Sequence, residues 1–355
     1  MARIVLADDG IHFDGRTLES KPLGGVETSV VLLMEELARR GHEVRVCNKC
    51  PAPLHHNGVF WSPIENGLPA GTDLYIANRG DALLPLMPKA GRCVFWIHNP
   101  ARYLLKWRYL SKLWRIRPVI VFIGEYHATT CSAWVPEGGR KVIPYGIADI
   151  FLTAETAQAP PAPCAVFTSN PLRSLDWLLD LWVEQIRPQV PAAELHVFSG
   201  AATYGAVGDE KSKAMEAVLE RARSLAPEGV VLREPVPKAE LARELRGARV
   251  MLYRGDLNET FCLSVAEAQA MGVPTVVQNF GSVTERVIDG ETGFIVKDDG
   301  AFASAAARLL KDDGLWLTQH QSALAKQRRW GWPEAAGAFE SLIPRIDDTL
   351  KMDSD

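Results

Sequence analysis

Apolar positions fall in short, nearly continuous runs along the chain, with longer stretches of helical period between them. RIVLA, EVRVC, DLYIA, CVFWIHN, VIVFIG and KVIPYG are such runs in the first part. CAVFTS, ELHVFSG, VVLREPV, RVMLYR, PTVVQN and GFIV follow in the second. Short runs without alternation suit strands buried on both faces, as in parallel sheets covered by helices. Helical period is clear from Thr28 to Arg40 and in SLDWLLDLWVEQI. The pattern predicts an α/β protein of two Rossmann-like, doubly wound domains facing a central cleft. Residues 153–163, rich in alanine and proline, have no apolar period and read as the linker. The predicted domains are 1–152 and 164–330. Residues 331–355, which include most of WGWPEAAGAFESLIPRI, are expected to form a C-terminal helix that crosses back to the first domain. Open α/β sheets bind ligands outside the carboxyl ends of their strands, so functional residues are expected in the loops after these runs.

Composition narrows the classes. A chain of 355 residues, 47% hydrophobic and 23% charged, can bury a sizeable core. A net charge of −4 gives no reason to expect nucleic acid as a partner, although residues 1–163 are the basic part. No run of apolar residues is long enough to span a bilayer, and MARIVLADDG turns acidic too early for a signal peptide, so a cytoplasmic protein is expected. Six cysteines, Cys47, Cys50, Cys93, Cys131, Cys164 and Cys262, are scattered, mostly in apolar runs, which suits buried thiols in a reducing compartment. Cys47 and Cys50 have no second pair nearby to complete a metal site. Neither a dinucleotide fingerprint nor a P-loop occurs, and the glycines of GAATYGAVG fit neither pattern.

The stretch NETFCLSVAEAQAMG carries the candidate chemistry. A strand ends near Arg254, and a helix is expected to begin within a few residues of Thr260. The N–H groups of Phe261, Cys262 and Leu263 would be its unpaired first donors, at the positive end of its dipole, which makes an anion site. Glu259 stands just before that site and Glu267 about two turns beyond. Two carboxylates that accept from vicinal hydroxyls on either side of a diphosphate match the layout of a nucleotide sugar. A competing account is local, since Ser264 to Glu267 spells a capping box.

ARYLLKWRYLSKLWRIRP is a second unusual stretch. Arg102, Lys106, Arg108, Lys112, Arg115 and Arg117 occur with no acid, interleaved with Tyr103, Trp107, Leu110 and Trp114 at helical spacing. Residues 102–117 either cover the core with their cations in solvent or lie on an anionic membrane surface.

NETFCLSVAEAQAMGVPTVVQNFGSVTERVIDGETGFIV resembles the signature of the family 4 retaining glycosyltransferases of the GT-B fold, whose two glutamates are spaced Glu-x7-Glu. Similar features are GGVET (Gly24 to Thr28) followed by a helix and RRGHEV, His98 in WIHN, IPYGIADIF, and SNPLRSLDWLL. The resemblance implies transfer of a sugar from UDP or GDP to a glycan or lipid-linked acceptor in polysaccharide or lipopolysaccharide assembly. It also implies retained configuration, with no metal or other cofactor. His98 and Glu259 would be the catalytic residues. Gly24, Gly25, Arg173, Thr260, Phe261, Cys262, Leu263 and Glu267 would bind the donor, with Glu267 on the ribose hydroxyls and Glu259 on the sugar. Several positions depart from the family pattern. Thr168 replaces an arginine and Arg173 a lysine of the diphosphate site, Ser174 and Cys262 stand where glycine is common, and Tyr145 replaces asparagine. A nucleotide-sugar epimerase or hydrolase of the same fold, or a non-catalytic binding subunit, are the alternatives.

Overall fold

A computed structural model describes residues 1–20, 23–200 and 209–344. Residues 201–208 of GAATYGAVG, and Arg345 and Ile346 at the end of the C-terminal segment, lie outside the described residues. The chain divides into two compact units. The first gathers the described residues of Met1–Lys21, Gly25–Gly146 and Trp332–Asp355, and the second those of Pro22–Gly24 and Ile147–Gly331.

The first unit is built on strands β1 (Arg3–Asp8), β2 (Glu43–Asn48), β3 (Leu54–His56), β4 (Val59–Pro63), β5 (Thr72–Asn78), β6 (Ala90–Trp96), β7 (Val119–Phe122) and β8 (Gly139–Val142). They form one sheet in the order β3-β4-β2-β1-β5-β6-β7-β8. The chain winds outward from β1 in one direction and returns beside it as β5, so the carboxyl ends of β1 and β5 frame a topological switch point. Val5 lies opposite Arg45 on one side and Tyr75 on the other, all parallel. Tyr75, Ile76, Phe95 and Trp96 are buried in the sheet's core.

The sequence reading omits β3 and β4, which pair antiparallel. Their turn is Asn57-Gly58, both residues at positive φ (46° and 79°). An Asn-Gly pair between strands is the local signal for such a hairpin, and LHHNGVFWSP contains it.

The second unit carries β9 (Cys164–Phe167), β10 (Glu194–Phe198), β11 (Val230–Arg233), β12 (Val250–Leu252), β13 (Thr275–Gln278) and β14 (Gly293–Val296). Their order is β11-β10-β9-β12-β13-β14, with every pairing parallel. Here β9 and β12 flank the switch point. The boundary falls between Gly146 and Ile147, ahead of the alanine- and proline-rich segment. That segment is fastened to the second unit because its carbonyls are used there. Arg249 donates to Pro161 O at 3.2 Å and Arg328 to Ala154 O at 3.2 Å.

The helix Trp332–Glu340 packs in the first unit against the helix Gly25–Arg39. Glu340 accepts from Arg40 at 2.7 and 2.6 Å and contacts His42 at 2.8 Å, while Phe339 meets the Trp96 ring edge-on at 5.3 Å.

Candidate active site

In the second unit the two loops at the switch point carry the predicted residues. The loop after β9 holds Thr168, Arg173 and Ser174, and the loop after β12 runs from Tyr253 to Cys262. Glu259 is buried in the latter loop. Its N–H donates to Asp256 O at 2.9 Å, and its carbonyl accepts from Ser282 N–H at 3.1 Å. The second bond is possible because residue 281 is glycine at φ 65°, since a Cβ there would meet Asp256 O at 2.1 Å. With its backbone fixed at both ends, Glu259 presents Oε2 to the Arg173 guanidinium and to Tyr253 Oη, which donates at 2.7 Å. Burial works against the charge on Arg173, but the Glu259 carboxylate outweighs it and holds the guanidinium above its ordinary range. Burial, then the Glu259 charge, pushes the Tyr253 phenol up, so it stays a donor. Arg173 and Glu259, predicted separately for diphosphate and sugar, therefore form one ion pair across the switch point.

The helix begins at Leu263, within the few residues of Thr260 that the sequence predicts. Cys262 is its N-cap, at φ 67° and ψ 72°, with no side-chain cap. Ala266 N–H to Cys262 O, at 3.2 Å, is the bond that opens the helix. The first helical donors are therefore Leu263, Ser264 and Val265, so of the predicted set only Leu263 lies inside the helix. Thr260 and Phe261 are buried in the preceding loop. The capping box fails for the same reason. Ser264 is one residue inside the helix, and Glu267, too far along to reach the cap, pairs instead with Lys238 at 2.6 and 2.8 Å. Glu267 is 4% exposed.

His98 follows β6 in the first unit and is buried. Its Nε2 lies 2.5 Å from Asn78 Oδ1 and its Nδ1 2.5 Å from Tyr145 Oη. Asn78 in turn donates to Asp8, and Arg79 binds Asp8 at 2.8 and 3.0 Å and Glu27 at 2.9 Å. Burial, and then the charges of Arg79 and His127, hold His98 well below the usual imidazole range, so the ring is neutral. A neutral ring matches its partners, with Nε2–H donating to Asn78 and Nδ1 accepting from Tyr145. Both ring nitrogens thus have protein partners. Gly25 opens the helix Gly25–Arg39, and its carbonyl accepts from Ser29 Oγ at 2.7 Å, whereas Gly24 groups with the second unit.

The reading from sequence missed Tyr253 and Lys238. Tyr253 closes the apolar run RVMLYR, where a phenol looks like one more core aromatic. Lys238 opens an amphipathic helix and carries no local signal at all. All six cysteines are free thiols, and no cluster of three or more metal-ligating side chains occurs among the described residues. Among those residues no helix is long and apolar enough to cross a membrane.

Residues 164–312 match the glycosyl transferases group 1 family. The match lies within the second unit. Curated relatives of this glycosyl transferases group 1 domain include D-inositol 3-phosphate glycosyltransferases. That of Xylanimonas cellulosilytica is 39% identical over 112 residues, covering 31% of this chain and 27% of the relative. That of Corynebacterium glutamicum is 33% identical over 111 residues, covering 31% and 26%. The matched stretch thus spans about a quarter of those relatives' length. Solved structures match across both units. Sucrose-phosphate synthase from Thermosynechococcus elongatus has a TM-score of 0.74 at 17% identity, covering 100% of each chain. Anabaena HepE in complex with UDP-glucose has a TM-score of 0.69 at 14% identity, covering 96% of this chain and 99% of its own. The fold is GT-B, the fold of glycosyltransferases.

Proposed function

We propose that the chain is a retaining glycosyltransferase that moves a sugar from a nucleotide-diphosphate donor to a glycan or lipid-linked acceptor. The observation that carries this is the placement of Glu259 and Glu267, both buried, on either side of the start of the helix Leu263–Ala270, at the switch point of a glycosyl transferases group 1 domain. Glu267 would accept from the ribose hydroxyls and Glu259 from the sugar, with the helix donors facing the diphosphate between them. HepE, of the same fold, binds UDP-glucose, which supports a nucleotide sugar as ligand.

In the reaction the bond from the anomeric carbon to the diphosphate oxygen breaks, and a bond to the acceptor oxygen forms on the same face. The acceptor proton passes to a diphosphate oxygen. Charge gathering on the departing diphosphate is met by the helix N-terminus, with Arg173 adding a cation at its edge. No metal is required by this scheme. Arg173 would also hold the Glu259 carboxylate in place for the sugar. Release into a glycan assembly reaction at the cytoplasmic face of a membrane suits the exposed basic, tryptophan-bearing helix Trp107–Ile116.

The test is a panel of UDP-, GDP- and ADP-sugars with mass-spectrometric detection of products. Glu259→Gln and Glu267→Ala should each lower transfer by about 10-fold or more, the worth of a hydrogen bond to a charged group. Wild-type transfer in both variants would refute the site. Donor consumption without acceptor would point to the hydrolase or epimerase alternative.

A further inference from the structure

We propose that Lys238 is a positioning residue for the nucleotide's ribose, fixing the Glu267 carboxylate so that its remaining lone pairs meet a 2′,3′-diol, which rests on the donor reading above. Lys238 is the first residue of the helix Lys238–Arg246, after Pro237, which supplies no side-chain cap. A cation there faces the positive end of the helix dipole, an unfavourable place for it. Nor does packing require it, since the buried face of that helix is Leu241, Ala242 and Leu245. Its ammonium instead turns onto both oxygens of Glu267, at 2.6 and 2.8 Å, with the two side chains 29% and 5% exposed. Nζ also lies 5.7 Å from the centre of the Phe151 ring.

The hydrogen-bond count explains the arrangement. An ionised carboxylate offers about four lone-pair sites, and Lys238 takes one on each oxygen, which leaves the two that a vicinal diol needs. The ammonium also neutralises a carboxylate that would otherwise stand buried and uncompensated beside a doubly charged diphosphate. Lys238 therefore acts through Glu267 and touches neither the breaking nor the forming bond.

Calorimetric affinities for UDP, GDP and ADP and their 2′-deoxy counterparts, on wild type, Lys238→Met, Lys238→Arg and Glu267→Gln, test the assignment. Wild type should bind the preferred ribonucleotide about 10-fold more tightly than its deoxy form, the worth of one hydrogen bond to a charged group. Lys238→Met should weaken the ribonucleotide by a similar factor and shrink the deoxy penalty below about 2-fold, while Lys238→Arg restores both. Lys238→Gln replaces the methionine variant should the latter not melt cooperatively. A lysine variant that keeps the full deoxy penalty, while Glu267→Gln loses it, overturns the role of Lys238 alone. A Glu267→Gln protein that keeps the penalty, or a wild type that binds none of the nucleotides, overturns the ribose site and Lys238 together.

Discussion

Ser174 and Cys262 hold the N-cap positions of the helices Leu175–Leu181 and Leu263–Ala270 with φ of 63° and 67°. The resemblance implies glycine at both positions, and the left-handed backbone suits it, since only glycine adopts that conformation without a Cβ penalty. The departures were visible in the sequence, whereas the conformation that makes them costly was not. Ser174→Gly should raise stability by about 0.5 to 1 kcal/mol, the strain relieved less glycine's larger unfolded-state entropy. A rise in melting temperature of about 2 °C would report it. Cys262→Gly should gain less, because it also empties a buried site where Sγ lies 3.5 Å from Ser264 Oγ. Glu259 and Glu267 could be singled out from their spacing alone. Their partners could not, because Arg173 lies 86 residues from Glu259 and Lys238 29 from Glu267, and no local pattern links residues that meet only through the sheet.

Among the elements, the helix Trp107–Ile116 resolves an ambiguity in its own sequence. Tyr109 and Leu113 are buried, while Trp107 and Trp114, seven residues apart and so on one outward face, are 79% and 71% exposed. Lys112 is tied to Asp81 at 2.5 Å, whereas Arg102, Lys106, Arg115 and Arg117 are exposed. The stripe is therefore divided, with one side in the core and the tryptophans in solvent. Flotation with vesicles rich in anionic lipid should show binding that weakens with salt and falls by about 10-fold in the Trp107→Ala, Trp114→Ala double variant. Equal recovery with neutral vesicles would refute an anionic surface as the partner, and none with either would remove the membrane from the picture. The strand runs buried on both faces were legible because burial on two sides erases alternation. The Asn57-Gly58 hairpin escaped because its strands are short, three and five residues, and the edge strand β3 has no buried residue to mark it.

For the molecule as a whole, acid should be destabilising in a defined window. His98 is held well below the ordinary imidazole range, by burial first. Burial likewise lowers His127 to about 4, although its Nε2 lies 2.9 Å from Asn99 O. The unfolded chain takes up these protons near pH 6.5, and the folded one only at lower pH, so the unfolded state binds more protons in between. Stability is then fully present above about pH 7 and falls toward pH 4, by up to about 1.4 kcal/mol per unit for each histidine. Melting temperatures measured from pH 7.5 to 5 should drop, and His127→Gln, which can keep the bond to Asn99 O and the one that Nδ1 accepts from Ile123 N–H at 3.2 Å, should flatten the slope. A curve unchanged over that range would mean that neither ring is buried neutral.

The return of Trp332–Glu340 onto Gly25–Arg39 also sets an order of events during synthesis. The second unit is encoded by nearly continuous chain and can close as soon as Gly331 has left the ribosome. The first unit must wait, because Arg40 and Trp96 meet Glu340 and Phe339, which follow the whole second unit in the chain. Though translation of it starts first, it is the later of the two to be completed, and its sheet is without that cover while the second unit is being made.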